Sequence, residues 1–188
     1  MSGRSLFQKY NIILRIFELT SKLIPKFVFN LFWFICDNSE SKPCLLLRYL
    51  YLKKYIKNCG ENIFIGKGVV LKNSRKLSIG SNVSIHAYSY VDAIGGITIG
   101  DNVSIANHTS LISFEHTWEN TEIPIKYNNT KKGSIKVSDD VWIGCGCRIL
   151  SNVTIHERCI VAAGAVLNKD TKSNTLMGGV PARDLKQI

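Results

Sequence analysis

VWIGCGCRILSNVTIHERCIVAAGAVL, residues 141–167, places Ile143, Ile149, Ile155, Val161 and Leu167 six residues apart. Four places after each of the first four, the residue is compact: Cys147, Val153, Cys159 and Ala165. An α-helix repeats about every 3.6 residues and a strand about every 2, so a strict beat of six is neither one alone. It fits a short strand plus a turn, repeated, in a solenoid whose units bury their apolar side against one another. Packing density excludes large side chains from the narrow corner that the compact position must fit.

Upstream the same beat continues with interruptions. Ile65, Leu71 and Leu77 form one run, Ile79, Ile85, Val91 and Ile97 a second, and Ile99, Ile105 and Leu111 a third; the last run starts at Ile135 or Val137. Between Leu77 and Ile79, and again between Ile97 and Ile99, the count slips by two. A slip of two keeps the apolar side inward, because strand side chains alternate with period two, and it is expected to lengthen one turn. The polar, asparagine-rich stretch from Thr117 to Ser134 breaks the beat altogether and predicts an ejected loop over 117–134.

The net charge of +10 is unevenly placed. Residues 1–58 hold ten Lys and Arg against three acids, the remainder fourteen against eleven. That basic segment reads as a helical extension. Cys44 to Lys57 mixes Leu46, Tyr49 and Leu50 with Arg48, Lys53, Lys54 and Lys57, which suits a helix with an apolar and a basic side. Phe27 to Cys36 is densely apolar but far short of the ~18–20 residues that span a bilayer. Pro25 and Lys26 precede it and no small-residue cleavage site follows, which argues against a signal peptide. Two compatible readings stay open: helices capping the open end of the solenoid, or a basic and aromatic patch resting on an anionic membrane. A recognised nucleic-acid motif is absent, so nucleic acid is not an expected partner.

The segments Ile99-Gly-Asp-Asn-Val-Ser-Ile-Ala-Asn107, Val141-Trp-Ile-Gly144, Val161-Ala-Ala-Gly-Ala-Val166 and Gly178-Gly-Val-Pro-Ala-Arg183 resemble the hexapeptide-repeat acyltransferases. The likeness covers residues 59–188 and points to the acetyl-CoA-dependent branch with maltose, galactoside and serine acetyltransferases, especially the enzymes of bacterial polysaccharide loci. It implies a mainly β chain: a left-handed parallel β-helix over 59–175, a C-terminal tail at 176–188 lining the cofactor site, and a homotrimer with active sites between subunits. The expected function is O-acetylation of a sugar hydroxyl of a capsule or O-antigen, or of its precursor, in the cytoplasm or at the inner face of the membrane.

Chemistry must come from residues that break the repeat. His116 stands in Ser113-Phe-Glu-His-Thr-Trp118, where the inward series has just ended and the family carries its catalytic histidine. Acyl transfer to a hydroxyl needs a base, and imidazole suits neutral pH. Glu115 is a candidate to orient its ring. His86 stands near where the sugar acetyltransferases carry an asparagine, a departure from the family pattern. With Tyr88, Asp92 and Asn107 it is a candidate contact for the saccharide acceptor. His108 and His156 read as turn histidines. The resemblance assigns the acetyl-CoA groove to Trp142, Cys145, Ala163, Gly164, Lys169 and Arg183. Ala163 and Gly164 let the backbone approach the pantetheine arm, and Lys169 and Arg183 meet phosphates.

No metal is expected. Cys147 and Cys159 fill corner positions, Cys145 and Cys147 are too close for the usual zinc pair, and reduced cytosolic thiols are the better assumption for all six cysteines. Gly-x-Ser-x-Gly is absent, which favours direct transfer over an acyl-enzyme. Three alternatives remain: N-acetylation of a nucleotide-linked amino sugar, a zinc carbonic anhydrase on the same solenoid, or a non-catalytic scaffold. The eight-residue spacing of His108 and His116 speaks against the zinc enzyme, and His116 beside intact cofactor motifs speaks against the scaffold.

Overall fold

The structure, a computed structural model, describes residues 3–188, with the side chains of residues 3–9 and 11 outside the description. Residues 1–2 of the 1–58 extension therefore lie outside the described residues. From Asn58 onward the chain winds through short strands that stack in parallel into three faces, forming a β-solenoid. The first face has five strands, Asn58–Cys59, Leu77–Ile79, Ile97–Ile99, Ile135–Val137 and Thr154–Ile155. The second begins at Phe64–Ile65 and ends in an antiparallel pair, Thr175–Gly179 with Ala182–Gln187; the third runs from Val70–Lys72 to Val166–Leu167.

Each beat of the sequence lands on the next face. On the second face Ile65, Ile85, Ile105, Ile143, Val161 and Met177 lie in register; on the third, Leu71, Val91, Leu111, Ile149 and Leu167 do. All are buried except Leu71, which is partly so. The corner residues Cys147, Val153, Cys159 and Ala165 are buried among them. The two-residue slips resolve differently from expectation. Leu77 and Ile79 both point inward from a single strand, as do Ile97 and Ile99, with Ser78 and Thr98 outward between them. The extra residues lengthen strands of the first face and leave the turns unchanged. Ile135 and Val137 continue those two inward rows.

At the edge between first and second faces, Asn62, Asn82 and Asn102 take positive φ of 55°, 58° and 57°. Asparagine tolerates this left-handed geometry. Asn62 Nδ2 donates to Asn82 Oδ1 at 2.9 Å and Asn82 Nδ2 to Asn102 Oδ1 at 3.1 Å, a ladder that ties three coils together.

Three helices, α1 (Gly3–Ser21), α2 (Lys26–Cys36) and α3 (Lys42–Tyr55), close the first coil. Phe29, Tyr49, Leu50 and Leu52 join one core with Ile63, Ile65 and Leu77, so the extension caps the solenoid. The basic side expected for α3 is largely spent on this job. Arg48 is 1% exposed, and its Nη2 donates to the carbonyls of Cys36 (2.6 Å), Asp37 (3.2 Å) and Ser39 (2.9 Å) while Nη1 reaches Ile65 O. The last carbonyls of a helix lack intrahelical partners and carry partial negative charge, so Arg48 satisfies the end of α2. Lys54 Nζ does the same for α1 through Ser21 O, Lys22 O and Ile24 O. No helix among the described residues is long and apolar enough to cross a membrane.

Candidate active site

Polar and aromatic residues that interrupt the repeat gather on two edges of the prism. At the edge between second and third faces the turns stack coil upon coil. His108 N donates to Ala87 O (3.1 Å), Gly146 N to Asn107 O (3.0 Å) and Gly164 N to Cys145 O (2.8 Å). This column brings His86, Tyr88, Asn107, Cys145, Ala163 and Gly164 together. His86, Tyr88, Asn107, His108, Trp142 and Lys67 line a cavity of about 540 Å³. Trp142 points outward from the second face, 54% exposed, in register with Ser104 and Ile160. It also borders a second cavity of about 310 Å³ with Arg158 and Ile160.

The tail reaches the same edge. Ala182–Gln187 folds back on Thr175–Gly179 with Arg183 opposite Gly178, and Ala162 N donates to Met177 O at 2.8 Å. Arg183 therefore stands level with Ala162, just before Ala163 and Gly164, and is exposed. Gly144 has no room for a side chain, since a Cβ there would sit 2.6 Å from Ala163 N. The coils are thus pressed together under the surface that these small residues leave bare.

His116 emerges one face further on. At the edge between third and first faces, Ser113 O accepts from Gly133 N (3.1 Å) and closes the neck of an antiparallel hairpin, Phe114–His116 with Thr130–Lys132. Ser113 Oγ donates to Asp92 O (2.6 Å) and accepts from Gly95 N (2.8 Å). The excursion is therefore ordered and starts at Phe114, ahead of the expected 117–134 loop. His116 is exposed, opposite Thr130, with the Phe114 ring 6.2 Å away on the same side of the strand. Strand alternation turns Glu115 to the other side, so it does not orient the His116 ring.

Two expectations move. Asp92 is buried on the third face, not beside His86; its Oδ1 accepts from Asn73 Nδ2 (2.7 Å) and Ile94 N (3.2 Å), which fixes a turn below the hairpin. Lys169 follows the third-face strand Val166–Leu167 and so shares the edge of His116, apart from Arg183. Within one chain the structure brings His86, Tyr88, Asn107, Trp142, Cys145, Ala163, Gly164 and Arg183 to one edge, and His116 and Lys169 to the next.

His108 was readable only as a turn histidine, yet it lines the cavity with its ring stacked on Tyr88. A signal existed. Three residues after the inward residue of each of the first five second-face strands stand Gly68, Tyr88, His108, Gly146 and Gly164, all at positive φ. Two aromatic rings occupy a glycine column. No group of three or more His, Cys, Asp or Glu among the described residues is arranged to hold a metal.

The family profile described as "Bacterial transferase hexapeptide (six repeats)" matches residues 134–169. The chain is 26% identical over 157 residues to the dTDP-4-amino-4,6-dideoxy-D-glucose acyltransferase of Escherichia coli, covering 70% of this chain and 82% of that protein. It is likewise 26% identical over 139 residues to the putative lipopolysaccharide biosynthesis O-acetyl transferase WbbJ of E. coli strain K12, covering 69% and 71%. Other curated relatives are longer, and the chain spans 44% and 21% of the length of two of them. Among solved structures, the hexapeptide-repeat acetyltransferase VCA0836 of Vibrio cholerae, complexed with acetyl coenzyme A, matches with a TM-score of 0.74 at 27% identity, over 85% of this chain and 84% of that one.

Proposed function

This chain belongs to the hexapeptide-repeat acyltransferases, and from that premise we propose that it is an acetyl-CoA-dependent O-acetyltransferase acting on a sugar hydroxyl of a bacterial surface polysaccharide or its precursor. One observation carries the reading: the exposed residues that break the repeat collect on two adjacent edges, a histidine on one and a cavity with a small-residue groove on the other. Such a division suits a threefold ring of copies, in which the second-to-third edge of one subunit abuts the third-to-first edge of the next. His116 of one subunit then faces the cavity of its neighbour, and Lys169 and Arg183 flank the same groove from opposite sides.

Acetyl-CoA would lie along Trp142, Cys145, Ala163 and Gly164, its phosphates near Arg183 and Lys169. The acceptor sugar would sit against His86, Tyr88 and Asn107. His116 takes the hydroxyl proton as the oxygen attacks the thioester carbonyl; the C–S bond then breaks, and the coenzyme A sulfur leaves with a proton. His86, which lines the cavity, would be the donor that stabilises the oxyanion. The exposed apolar residues Ile12, Leu23, Phe27 and Phe34 of the extension support a peripheral contact with the inner face of the membrane.

A second reading, N-acetylation of a nucleotide-linked amino sugar, is favoured by the similarity to the dTDP-amino-sugar acyltransferase. Turnover of acetyl-CoA against a panel of glycans and nucleotide sugars tests both. An ester product released by hydroxylamine supports the first, a resistant amide the second, and binding of acetyl-CoA by neither calorimetry nor crystallography removes both.

A further inference from the structure

Resting on that reading of the cavity as the acceptor site, we propose that the groove between α1 and α3 holds the hydrocarbon chain of a lipid-linked saccharide acceptor. The groove, about 470 Å³, is lined by Tyr10, Ile13 and Phe17 of α1, Leu45 and Leu46 of α3, and Phe64 of the first coil. That volume lies within the usual range for small-molecule sites. Its wall is mostly apolar, and Ile13 and Phe17 remain 50% and 44% exposed. Exposed apolar surface of this kind costs free energy in water unless something covers it.

Position and charge indicate the occupant. Phe64 lines the groove, and its ring lies 5.4 Å from that of His86, which lines the cavity. The groove and the cavity therefore lie on either side of the Phe64–His86 contact, at the end of the cavity away from Ala163 and Gly164. A ligand filling both needs a long apolar part and a polar sugar part, joined near Phe64. Lys42 lines the groove and Lys67 the cavity, so a phosphate or diphosphate spanning the two has a cation in each lining, against the one carboxylate of Glu40 in the cavity. A prenyl phosphosugar has this order of chemistry: hydrocarbon, phosphate, saccharide. The cofactor would enter from the opposite end of the same edge, which keeps the two substrates from competing for one entrance.

Farnesyl diphosphate, below its micellar concentration, is a direct probe. Isothermal titration should show it binding at least ~10-fold more tightly than inorganic diphosphate, because the difference is apolar burial. Ile13→Asp and Phe17→Asp, both at exposed positions, should remove that advantage while leaving acetyl-CoA binding and the number of subunits in the oligomer unchanged. Lys42→Ala should weaken the farnesyl diphosphate complex and leave farnesol binding alone. Equal affinity for farnesyl diphosphate and diphosphate overturns the proposal, as does indifference to Phe17→Asp. A fall in oligomer mass in Phe17→Asp also overturns it, since a second copy of the chain would then be the occupant. Acetyl-CoA titration of the same samples separates these failures from a failure of the acyltransferase reading.

Discussion

Tyr88 stacks on His108 across one coil, ring centroids 5.3 Å apart and planes 18° from parallel, and both residues hold φ near +60°. A bulky residue in left-handed geometry costs about 1–2 kcal/mol. The neighbouring coils avoid that cost with Gly68, Gly146 and Gly164. A site that keeps strain where glycine would relieve it is a candidate for function.

Tyr88→Gly and His108→Gly should therefore be nearly neutral for folding. Relief of strain is offset by the extra unfolded-state freedom of glycine, about 0.5–1 kcal/mol, so thermal unfolding should shift by no more than a few degrees. The acceptor KM should rise several-fold in both variants while the acetyl-CoA KM stays put, as measured by steady-state kinetics. A large loss of stability with an unchanged acceptor KM would assign the stacked pair to packing.

His116→Ala should fold with unchanged mass and lose at least ~10²-fold in turnover, the usual contribution of a general base. Ala163→Phe, which blocks close approach of the pantetheine arm, should be inactive for a separate reason. If each site draws His116 and the groove from different subunits, mixed assemblies of the two variants regain about a quarter of wild-type activity, the fraction of sites with both edges intact in a random 1:1 trimer. Absence of any recovery in verified mixed oligomers would place both groups in one subunit.

The prism was legible because its signal is strictly periodic. Each of Ile143, Ile149, Ile155, Val161 and Leu167 is buried in one of three inward rows, and the family motifs put Trp142, Ala163, Gly164 and Arg183 on one edge. Features that depend on contacts between distant segments were not legible. Asp92 looks like a neighbour of Tyr88 in sequence, but the third-face strand Tyr90–Asp92 carries it to the next edge. Glu115 is adjacent to His116 in the chain and opposed to it across the strand. Arg48 looks like one more surface cation, because nothing in residues 42–57 says that the end of α2 will be packed above it.

Arg48 supplies a stability prediction. Arg48→Met keeps much of the apolar stem but leaves the carbonyls of Cys36, Asp37 and Ser39 without their donor. Charged hydrogen bonds contribute about 1.5–3 kcal/mol each and are not additive, so the variant should lose on the order of 3 kcal/mol. Thermal unfolding should fall by about 6–12 °C for a chain of this size. Arg48→Lys, with a single point charge in place of a fork, should recover only part of this. Unchanged melting of Arg48→Met would show that the cap is held by α3 packing alone.

Cys145 and Cys147 give a last test, because two thiols two residues apart have opposite surroundings. Cys145 is exposed in the turn between Gly144 and Gly146, whereas Cys147 is buried and its Sγ donates to Ala162 O at 3.1 Å. Burial pushes the Cys147 thiol above its ordinary range and raises Cys59 to about 11. The thiolate is the reactive form, so at pH 8 both stay protonated, and Cys147 is shielded as well. A maleimide at pH 8 should therefore label Cys145 fast and Cys147 and Cys59 slowly, read by mass spectrometry of tryptic peptides. Saturating acetyl-CoA should slow Cys145 labelling at least ~10-fold if the pantetheine arm lies over the turn, the reduction expected when a ligand buries most of a small site. An acceptor sugar alone should not. Labelling of Cys145 at the same rate with and without acetyl-CoA would take this turn out of the cofactor groove, leaving Trp142, Ala163 and Arg183 to define its course.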